Sequence, residues 1–135
     1  MDERVISDVQ SSWKVVAGIA PQAAALFYSN LFEADPKLKP LFKGNMEEQG
    51  KKLMQMIGAA VGKLTDLGSL VPILQSLAKR HVAYGVQEEH YGTVGSALLK
   101  TLEQGLGPAF TPQIKASWSE VYDVMSTVMI AAAKE

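Results

Sequence analysis

The chain contains no cysteine among its 135 residues, and only two histidines. Disulfide bridges, thiolate metal sites and cysteine nucleophiles are therefore excluded. The absence of cysteine is compatible with a cytoplasmic protein, and that location is our expectation. Aromatic residues make up only 7% of the sequence. The sequence therefore contains few side chains that could act as metal ligands or catalytic groups.

The chain also lacks an excess of charge of either sign. Thirteen basic residues face 14 acidic residues, which leaves a net charge of −1. A nucleic-acid or anionic-membrane partner would favour a basic surface, and none is indicated. No apolar run approaches the roughly 18 residues of a membrane span. The charged start, Asp2-Glu3-Arg4, carries no signal-peptide pattern.

What the sequence does contain is helical periodicity along nearly its whole length. No segment favours a strand, and the length suits one domain covering residues 1–135. We predict an all-α fold of about seven helices that pack ridges into grooves. Their expected starts or first apolar positions are Val5, Pro21, Asp35-Pro36, Asn45, Ser69, Glu88 and Thr111-Pro112.

Turn and cap residues place the helix boundaries. Lys43-Gly44-Asn45 is predicted to be a turn, with Asn45 capping the helix that follows. Ser69 is predicted to cap the next helix, which would place Pro72 in its first turn. Gly105, Gly107 and Pro108 are expected to end the helix that begins at Glu88.

His81 is the first candidate for chemistry because it shares an apolar helix face with Leu74 and Leu77. One interpretation is a core histidine that is hydrogen-bonded to a neighbour. The other is a metal ligand. One histidine cannot complete a zinc site, which needs three or four protein ligands. It can serve as the single protein ligand of haem iron, because the porphyrin supplies four nitrogens.

The other polar candidates are less specific by themselves. His90 is interpreted as a surface residue, Tyr28 as a core aromatic and Gln49 as a first-turn polar residue. Lys51-Lys52 and Lys79-Arg80 are interpreted as solvated faces. Phosphate-binding loops, Gly-x-Ser-x-Gly elbows and His-Glu-x-x-His motifs do not occur in the sequence.

Taken together, these segments resemble the globin family over almost the whole chain. The pattern is similar to that of bacterial single-domain haemoglobins and the globin part of flavohaemoglobins. The matching segments are Phe27 to Phe32, Asp35-Pro36, Pro40 to Phe42, Gln49 to Leu53, Lys79 to Val86, His90-Tyr91, Val94-Gly95, Leu98-Leu99, Trp118 and Tyr122. The resemblance implies a globin fold, a 3-over-3 helical sandwich without the D helix.

The resemblance also implies a haem b cofactor and a role for each matching residue. His81 becomes the proximal iron ligand, with its second ring nitrogen held by a carbonyl or similar acceptor. Tyr28 and Gln49 become distal hydrogen-bond donors, and Gly50 lets their helices cross closely. Phe42 would stack on haem and Lys52 would reach a propionate. The remaining predicted haem contacts are Leu53, Leu77, Val86, Tyr91, Val94 and Leu98.

The function implied is reversible dioxygen binding with high affinity, with nitric oxide and carbon monoxide as further small ligands. The alternative is nitric oxide dioxygenation, which would require a separate reductase for a chain that stops at Glu135. Redox-active relatives pair the proximal histidine with a tyrosine and a glutamate. Tyr91 matches the tyrosine, but Ala133 stands at the glutamate position. A sensor or a haem-free interaction domain fits less well. We expect a monomer or homodimer.

Overall fold

The computed structural model describes residues 2–42 and 44–134. Lys43 of the predicted turn and Glu135 lie outside the described residues. Within them, the chain forms six α-helices and two 3-10 segments, with no strand. The helices are α1 (Glu3–Ala17), α2 (Ala20–Ala34), α3 (Met46–Gly62), α4 (Leu67–Ala83), α5 (Glu88–Leu106) and α6 (Pro112–Ala133), and the 3-10 segments are Pro36–Leu41 and Gly107–Ala109.

Side-chain caps explain most of the helix starts. Asp2 accepts a hydrogen bond from the backbone N–H of Val5, Asn45 accepts two from Glu47 and Glu48, and Thr111 accepts one from Ile114. Each cap satisfies backbone donors that have no partner inside the helix. The predicted starts at Asn45, Glu88 and Thr111-Pro112 are confirmed.

The predicted start of α4 is wrong by a few residues. Asp66, not Ser69, is the cap, because its carboxylate accepts from both the backbone N–H and the hydroxyl of Ser69. The helix therefore begins at Leu67, and Pro72 lies inside it rather than in its first turn. Similarly, Gly105 lies within α5, which ends at Leu106 and is capped by Gly107 with a positive φ of 56°.

The helices pack in two layers, with α1, α3 and α4 against α2, α5 and α6. The pairs α1–α6 and α4–α6, together with α2–α3, join the layers. Trp118, Leu31 and Leu102 are among the fully buried side chains between them. Within the described residues no single helix is long and apolar enough to span a membrane; α1 and α2 pass that test only jointly, across a bend of 103°.

One polar cluster joins α1 to α6 across the two layers, and another joins α2 to α5 within one layer. Asp8 on α1 accepts hydrogen bonds from Gln113 and Ser117 on α6, and these bonds lower the pKa of its carboxyl group. Beside them, the indole N–H of Trp118 donates to the Ser12 hydroxyl over 2.8 Å. A second cluster on α2 and α5 joins Asn30 to Thr101 and Gln104. These bonds satisfy buried polar groups that would otherwise destabilise the core.

Candidate functional site

Tyr28 lies in an aromatic cluster formed by α2 and the residue after the first 3-10 segment. Its ring stacks on Phe32 with centroids 6.0 Å apart, and meets Phe42 edge-on at 5.4 Å. Phe32 and Phe42 also meet edge-on at 5.4 Å. Such offset and edge-to-face pairs add stability beyond the area they bury. The cluster places the predicted distal tyrosine and the predicted haem-stacking phenylalanine side by side.

Gly50 brings α3 close to the same cluster. A Cβ at this position would lie 3.0 Å from the Ala24 Cβ and 3.9 Å from the Tyr28 ring. The glycine therefore permits a close crossing of α2 and α3, as predicted. Gln49 precedes it and is half-buried. The crossing brings the start of α3 and Gln49 into the neighbourhood of Tyr28.

The Tyr28 hydroxyl is a protonated donor at neutral pH. Burial raises the pKa of Tyr28 from its ordinary value to about 12. The side chain is only 9% exposed, and its hydroxyl makes no hydrogen bond to any described residue. A donor in such a position is available to a ligand that carries an acceptor atom.

His81 lies near the end of α4, half-buried, and its Nδ1 atom is buried without a hydrogen-bonding partner among the described residues. Burial lowers the pKa of His81; the Leu77 carbonyl opposes this shift and the charge of Arg80 adds to it. The ring is therefore neutral at pH 7, with one nitrogen lone pair available. A neutral imidazole is the form that binds metals.

A tethered pair of tyrosines lies on the neighbouring helices α5 and α6. The Tyr122 hydroxyl donates to the Tyr91 carbonyl over 2.6 Å. The ring edge of Tyr122 lies against Gly95, where a Cβ would be 2.7 Å from its Cε2 atom. Burial raises the pKa of both tyrosines. Tyr122 was predicted only as a family match, and its tether becomes visible only in the folded chain.

The 3-10 segment that leads to Phe42 also contacts the corner after α4. A Cβ at Gly85, where φ is +96°, would lie 3.2 Å from the Leu41 side chain. The positive φ and the close neighbour both favour glycine. This contact brings the chain around Phe42 to the end of the helix that carries His81.

The other predicted site residues divide by burial. Leu77, Tyr91 and Leu98 are buried, and Lys52 is exposed. The three residues that are partly buried and pack on the core are Leu53, Val86 and Val94. At the C-terminal end of α6, Ala133 is partly buried.

His90 has a structural role that the sequence interpretation missed. Its Nδ1 accepts the backbone N–H of Gln87 over 3.0 Å, at the start of α5. The spacing of three residues between Gln87 and His90 is the signal that would have predicted this cap. This bond occupies one ring nitrogen of His90 in a helix cap. The Nδ1 of His81, in contrast, has no partner among the described residues.

The donor set does not suit a metal held by protein ligands alone. The described residues contain no group of three or more His, Asp or Glu side chains that could hold a metal ion. A single neutral histidine beside an apolar, aromatic interior instead suits a metal whose other ligands come from a planar macrocycle. The residues present therefore fit the predicted haem group.

Comparisons with known proteins agree with this geometry. The globin family model matches residues 25–129, which is more than half of the chain. The flavohemoprotein of Rhodopirellula baltica is 31% identical over 96% of this chain and 33% of its own length. That of Bacillus subtilis is 29% identical over 100% of this chain and 35% of its own length. The chain thus spans about a third of these relatives.

Solved structures show the same fold. A bacterial globin from Campylobacter jejuni superposes with a TM-score of 0.85 at 27% identity, covering 98% of this chain and 96% of the other. The flavohemoglobin of Malassezia yamatoensis, solved with bound FAD and heme, gives a TM-score of 0.81 at 24% identity over 98% of this chain and 36% of that one.

This chain belongs to the globin family. The all-α prediction and the expected globin fold are confirmed by the helices, the family match and the structural neighbours. Its similarity to a bacterial globin and to flavohemoproteins also confirms the predicted kind of globin.

Proposed function

We propose that the protein binds haem b through His81 and binds dioxygen reversibly, with high affinity, on the side of Tyr28 and Gln49. The observation that carries this proposal is the state of His81. It is a neutral ring with a buried, unpartnered nitrogen on α4. The globin family match and the flavohemoprotein relatives support the same cofactor.

The chain offers a complete set of side chains for holding haem. His81 would coordinate the iron through Nε2, and Nδ1, which has no partner among the described residues, would donate to the Leu77 carbonyl, which already raises the pKa of the ring. That second bond would fix the ring and raise its basicity as a ligand. Phe42 would stack on the porphyrin and Lys52 would reach a propionate. The apolar wall comprises Leu53, Leu77, Val86, Tyr91, Val94 and Leu98. Haem supplies an iron that binds diatomic gases.

Tyr28 and Gln49 determine which gas is held most firmly. Both side chains would donate to a ligand that carries partial negative charge, as dioxygen does when bound, whereas carbon monoxide would gain less. A hydrogen bond to a charged group contributes about 1.5–3 kcal/mol. That corresponds to roughly 10- to 100-fold in affinity for each donor. The high pKa of Tyr28 keeps its proton in place across the physiological range.

Visible absorption spectroscopy of the purified protein tests this proposal. Spectra are recorded for the ferric protein, after dithionite reduction, and after reduction followed by exposure to air. We expect a Soret band, a five-coordinate deoxy spectrum and a stable oxygenated spectrum. Protein expressed with ample haem that shows no Soret band would contradict haem binding itself. A haem spectrum that oxidises at once in air would contradict reversible dioxygen binding.

Nitric oxide dioxygenation is the second candidate, and its support is the similarity to two flavohemoproteins. In this reaction nitric oxide, dioxygen and one electron give nitrate, so a reductase partner must supply the electron. The test adds nitric oxide to oxygenated protein and measures nitrate over repeated cycles of reduction. Ala133, in place of a glutamate, would weaken any push of electron density from His81. We therefore expect slow turnover, and an absence of nitrate would contradict this function.

A further inference from the structure

The position of the Tyr28 hydroxyl depends on how its ring is held. The hydroxyl makes no hydrogen bond to any described residue, and burial is the cause of its raised pKa. Its oxygen lies on the axis of the χ2 torsion, so rotation of the ring about that axis leaves the oxygen in place. A tilt of the axis does move it, and in a helix χ1 has two common values, about 180° and about −60°. The neighbours of the ring therefore decide where this donor lies.

Three phenylalanine rings pack against Tyr28, and one of them lies nearly parallel to it. Phe27 and Phe42 have their centroids 5.4 Å from that of Tyr28, and each ring is inclined to it by 71°. The Phe32 centroid is 6.0 Å away, and its plane is inclined by only 20°. Offset stacking of this kind is a favoured arrangement of two aromatic rings. Because the two flat faces lie side by side, Phe32 opposes a tilt of the Tyr28 ring toward it.

The stack follows from the spacing of the two residues on α2. Phe32 lies four residues after Tyr28, so both side chains are on the same face of the helix. Helical side chains lean toward the N-terminus, which brings the ring of Phe32 over the turn that carries Tyr28. Phe32 is in turn held by Phe42, whose ring it meets at 5.4 Å and 69°. A contact from outside α2 thus keeps Phe32 against Tyr28.

Phe32 has no assignment at the proposed haem site, in contrast to its neighbours. Phe42 is a proposed haem contact, and Phe27 is a core residue that is only 5% exposed. Phe32 is partly buried against the core, and its side chain carries no group that could donate to a ligand or bind iron. Its contacts with Tyr28 and Phe42 are the features through which this residue can influence ligand binding.

We propose that Phe32 is a positioning residue for dioxygen binding: its ring keeps the Tyr28 hydroxyl directed at the ligand, which slows dioxygen release and favours dioxygen over carbon monoxide. This role rests on the proposed function, because it takes Tyr28 as a donor to the ligand. It assigns the orientation of that donor to a side chain that need not touch the haem or the gas. Loss of the Phe32 ring would leave the donor in place, but the hydroxyl would spend less time within hydrogen-bonding range of the ligand.

Dioxygen release from Phe32→Leu tests this proposal on the haem-loaded protein. Leucine keeps most of the apolar volume but offers no flat face to Tyr28. Loss of about half the free energy of one hydrogen bond to a charged group corresponds to roughly 3- to 10-fold faster release, measured by stopped-flow displacement with carbon monoxide. Carbon monoxide release should change by less than about twofold, because that ligand gains less from a donor. Phe32→Met also lacks the flat face and should behave in the same way.

Phe110→Leu is the matched control. Phe110 is the fourth phenylalanine of the chain. Like Phe32 it is partly buried and packs on the core, but among the described residues the ring contacts of Tyr28 are with other phenylalanines. Phe110→Leu should lose comparable stability in urea and should keep the wild-type release rates of both gases. Equal acceleration of dioxygen release in this variant would overturn the proposal, since general loosening of the core would then explain the effect.

A double-mutant cycle with Tyr28→Phe shows whether Phe32 acts through the hydroxyl. If it does, Phe32→Leu should no longer speed dioxygen release once the hydroxyl is absent. An effect of the same size in the Tyr28→Phe background would overturn the proposal. An unchanged release rate in Tyr28→Phe alone would contradict the donor assignment of the proposed function and this role with it. An unchanged rate in Phe32→Leu, with faster release in Tyr28→Phe, would overturn only the role of Phe32.

The C–O stretching band of the carbon monoxide form gives a readout that does not depend on kinetics. A donor close to the bound ligand lowers this frequency, because it draws electron density into the C–O antibonding orbital. We expect one narrow band in the wild type and a band at higher frequency in Tyr28→Phe. Phe32→Leu should show both bands, as the hydroxyl divides its time between two orientations. A spectrum of Phe32→Leu identical to that of the wild type would overturn the proposal.

Discussion

The two sides of the proposed haem site differ in how their polar groups are held. On the distal side, the Tyr28 hydroxyl makes no hydrogen bond to the described residues, and its ring packs against Phe32 and Phe42. On the proximal side, the Tyr122 hydroxyl is tethered to a backbone carbonyl. His81 then stands out as the one side chain with a buried polar atom that lacks a partner within the described chain.

The two tyrosines therefore differ in whether their hydroxyl proton is available to a ligand. Apolar packing orients Tyr28 and leaves its proton free for a ligand. The Tyr122 hydroxyl, in contrast, already donates its proton to the Tyr91 carbonyl. A donor kept free near a binding site costs stability that a ligand restores.

The largest effect is expected for His81→Ala on the proximal side. Removal of the only proposed iron ligand should abolish the Soret band of protein purified by gel filtration, and added imidazole should restore it. His90→Ala is the matched control, since His90 only accepts the Gln87 N–H. That variant should keep the full Soret band and lose about 0.5–1.5 kcal/mol of stability. Normal haem retention by His81→Ala would contradict the ligand assignment.

The next effect is expected for Tyr28→Phe on the distal side. Loss of one donor should speed dioxygen release by roughly 10- to 100-fold, measured by stopped-flow displacement with carbon monoxide. Release of carbon monoxide should change far less. Tyr122→Phe serves as the proximal control, because its hydroxyl is already bonded to the Tyr91 carbonyl. A dioxygen release rate that stays at the wild-type value in Tyr28→Phe would exclude this tyrosine as a donor.

A smaller effect is expected at the glycines that permit the close contacts of each side. Gly95→Ala places a Cβ 2.7 Å from the tethered ring of Tyr122. The ring must shift, so we expect a loss of about 1–3 kcal/mol in the free energy of unfolding. Gly50→Ala brings its Cβ to 3.0 Å from the Ala24 methyl and to an ordinary contact of 3.9 Å with the Tyr28 ring, and the gain in helix propensity offsets part of the cost.

Urea denaturation of both variants measures these losses. Gly92→Ala is the control, since a Cβ there meets no described atom within 4 Å. It should be neutral or stabilise the protein by up to about 1 kcal/mol. A greater loss for Gly50→Ala than for Gly95→Ala would reverse the comparison and show the distal crossing to be the tighter one.

The smallest effect is expected in the alkaline pH dependence of stability. Burial raises the pKa of Tyr28 in the folded protein from 10.0 to about 12. The unfolded chain therefore loses this proton at lower pH, and ionisation favours unfolding. The contribution of Tyr28 is fully present below pH 10 and is lost as the pH rises toward 12. Thermal unfolding of the wild type should weaken more steeply across this range than that of Tyr28→Phe. If the stability of the two proteins falls equally with pH over this range, the Tyr28 hydroxyl is exposed to water and not buried.

The local part of this structure could be predicted from the sequence. The apolar positions of α1 and α6, and the caps at Asn45 and Thr111, depend on residues within one or two helical turns. The start of α4 was misplaced because Asp66 and Ser69 are both good caps. The choice between them depends on the backbone conformation at Asp66. In the folded chain the Asp66 carboxylate accepts hydrogen bonds from the backbone N–H and the hydroxyl of Ser69.

The candidate site could be predicted only as a set of residues. The sequence contains two histidines, and its apolar periodicity marked His81 as the inward one. The capping bond of His90, by contrast, required the geometry of the Gln87 backbone. Similarly, Gly50 was expected to permit a close crossing. Its actual neighbours, Ala24 and Tyr28, were identified by the structure.

The sequence by itself determined the helices, their buried faces and the short supply of chemical groups, because each of these follows from composition or from spacing within a few residues. The tertiary structure alone decided which distant groups meet. Tyr122 reaches the Tyr91 carbonyl, Leu41 meets Gly85, and Trp13 lies against Gly58. Such contacts depend on how whole helices cross, and a crossing is set by the combined packing of many side chains, which no local pattern contains.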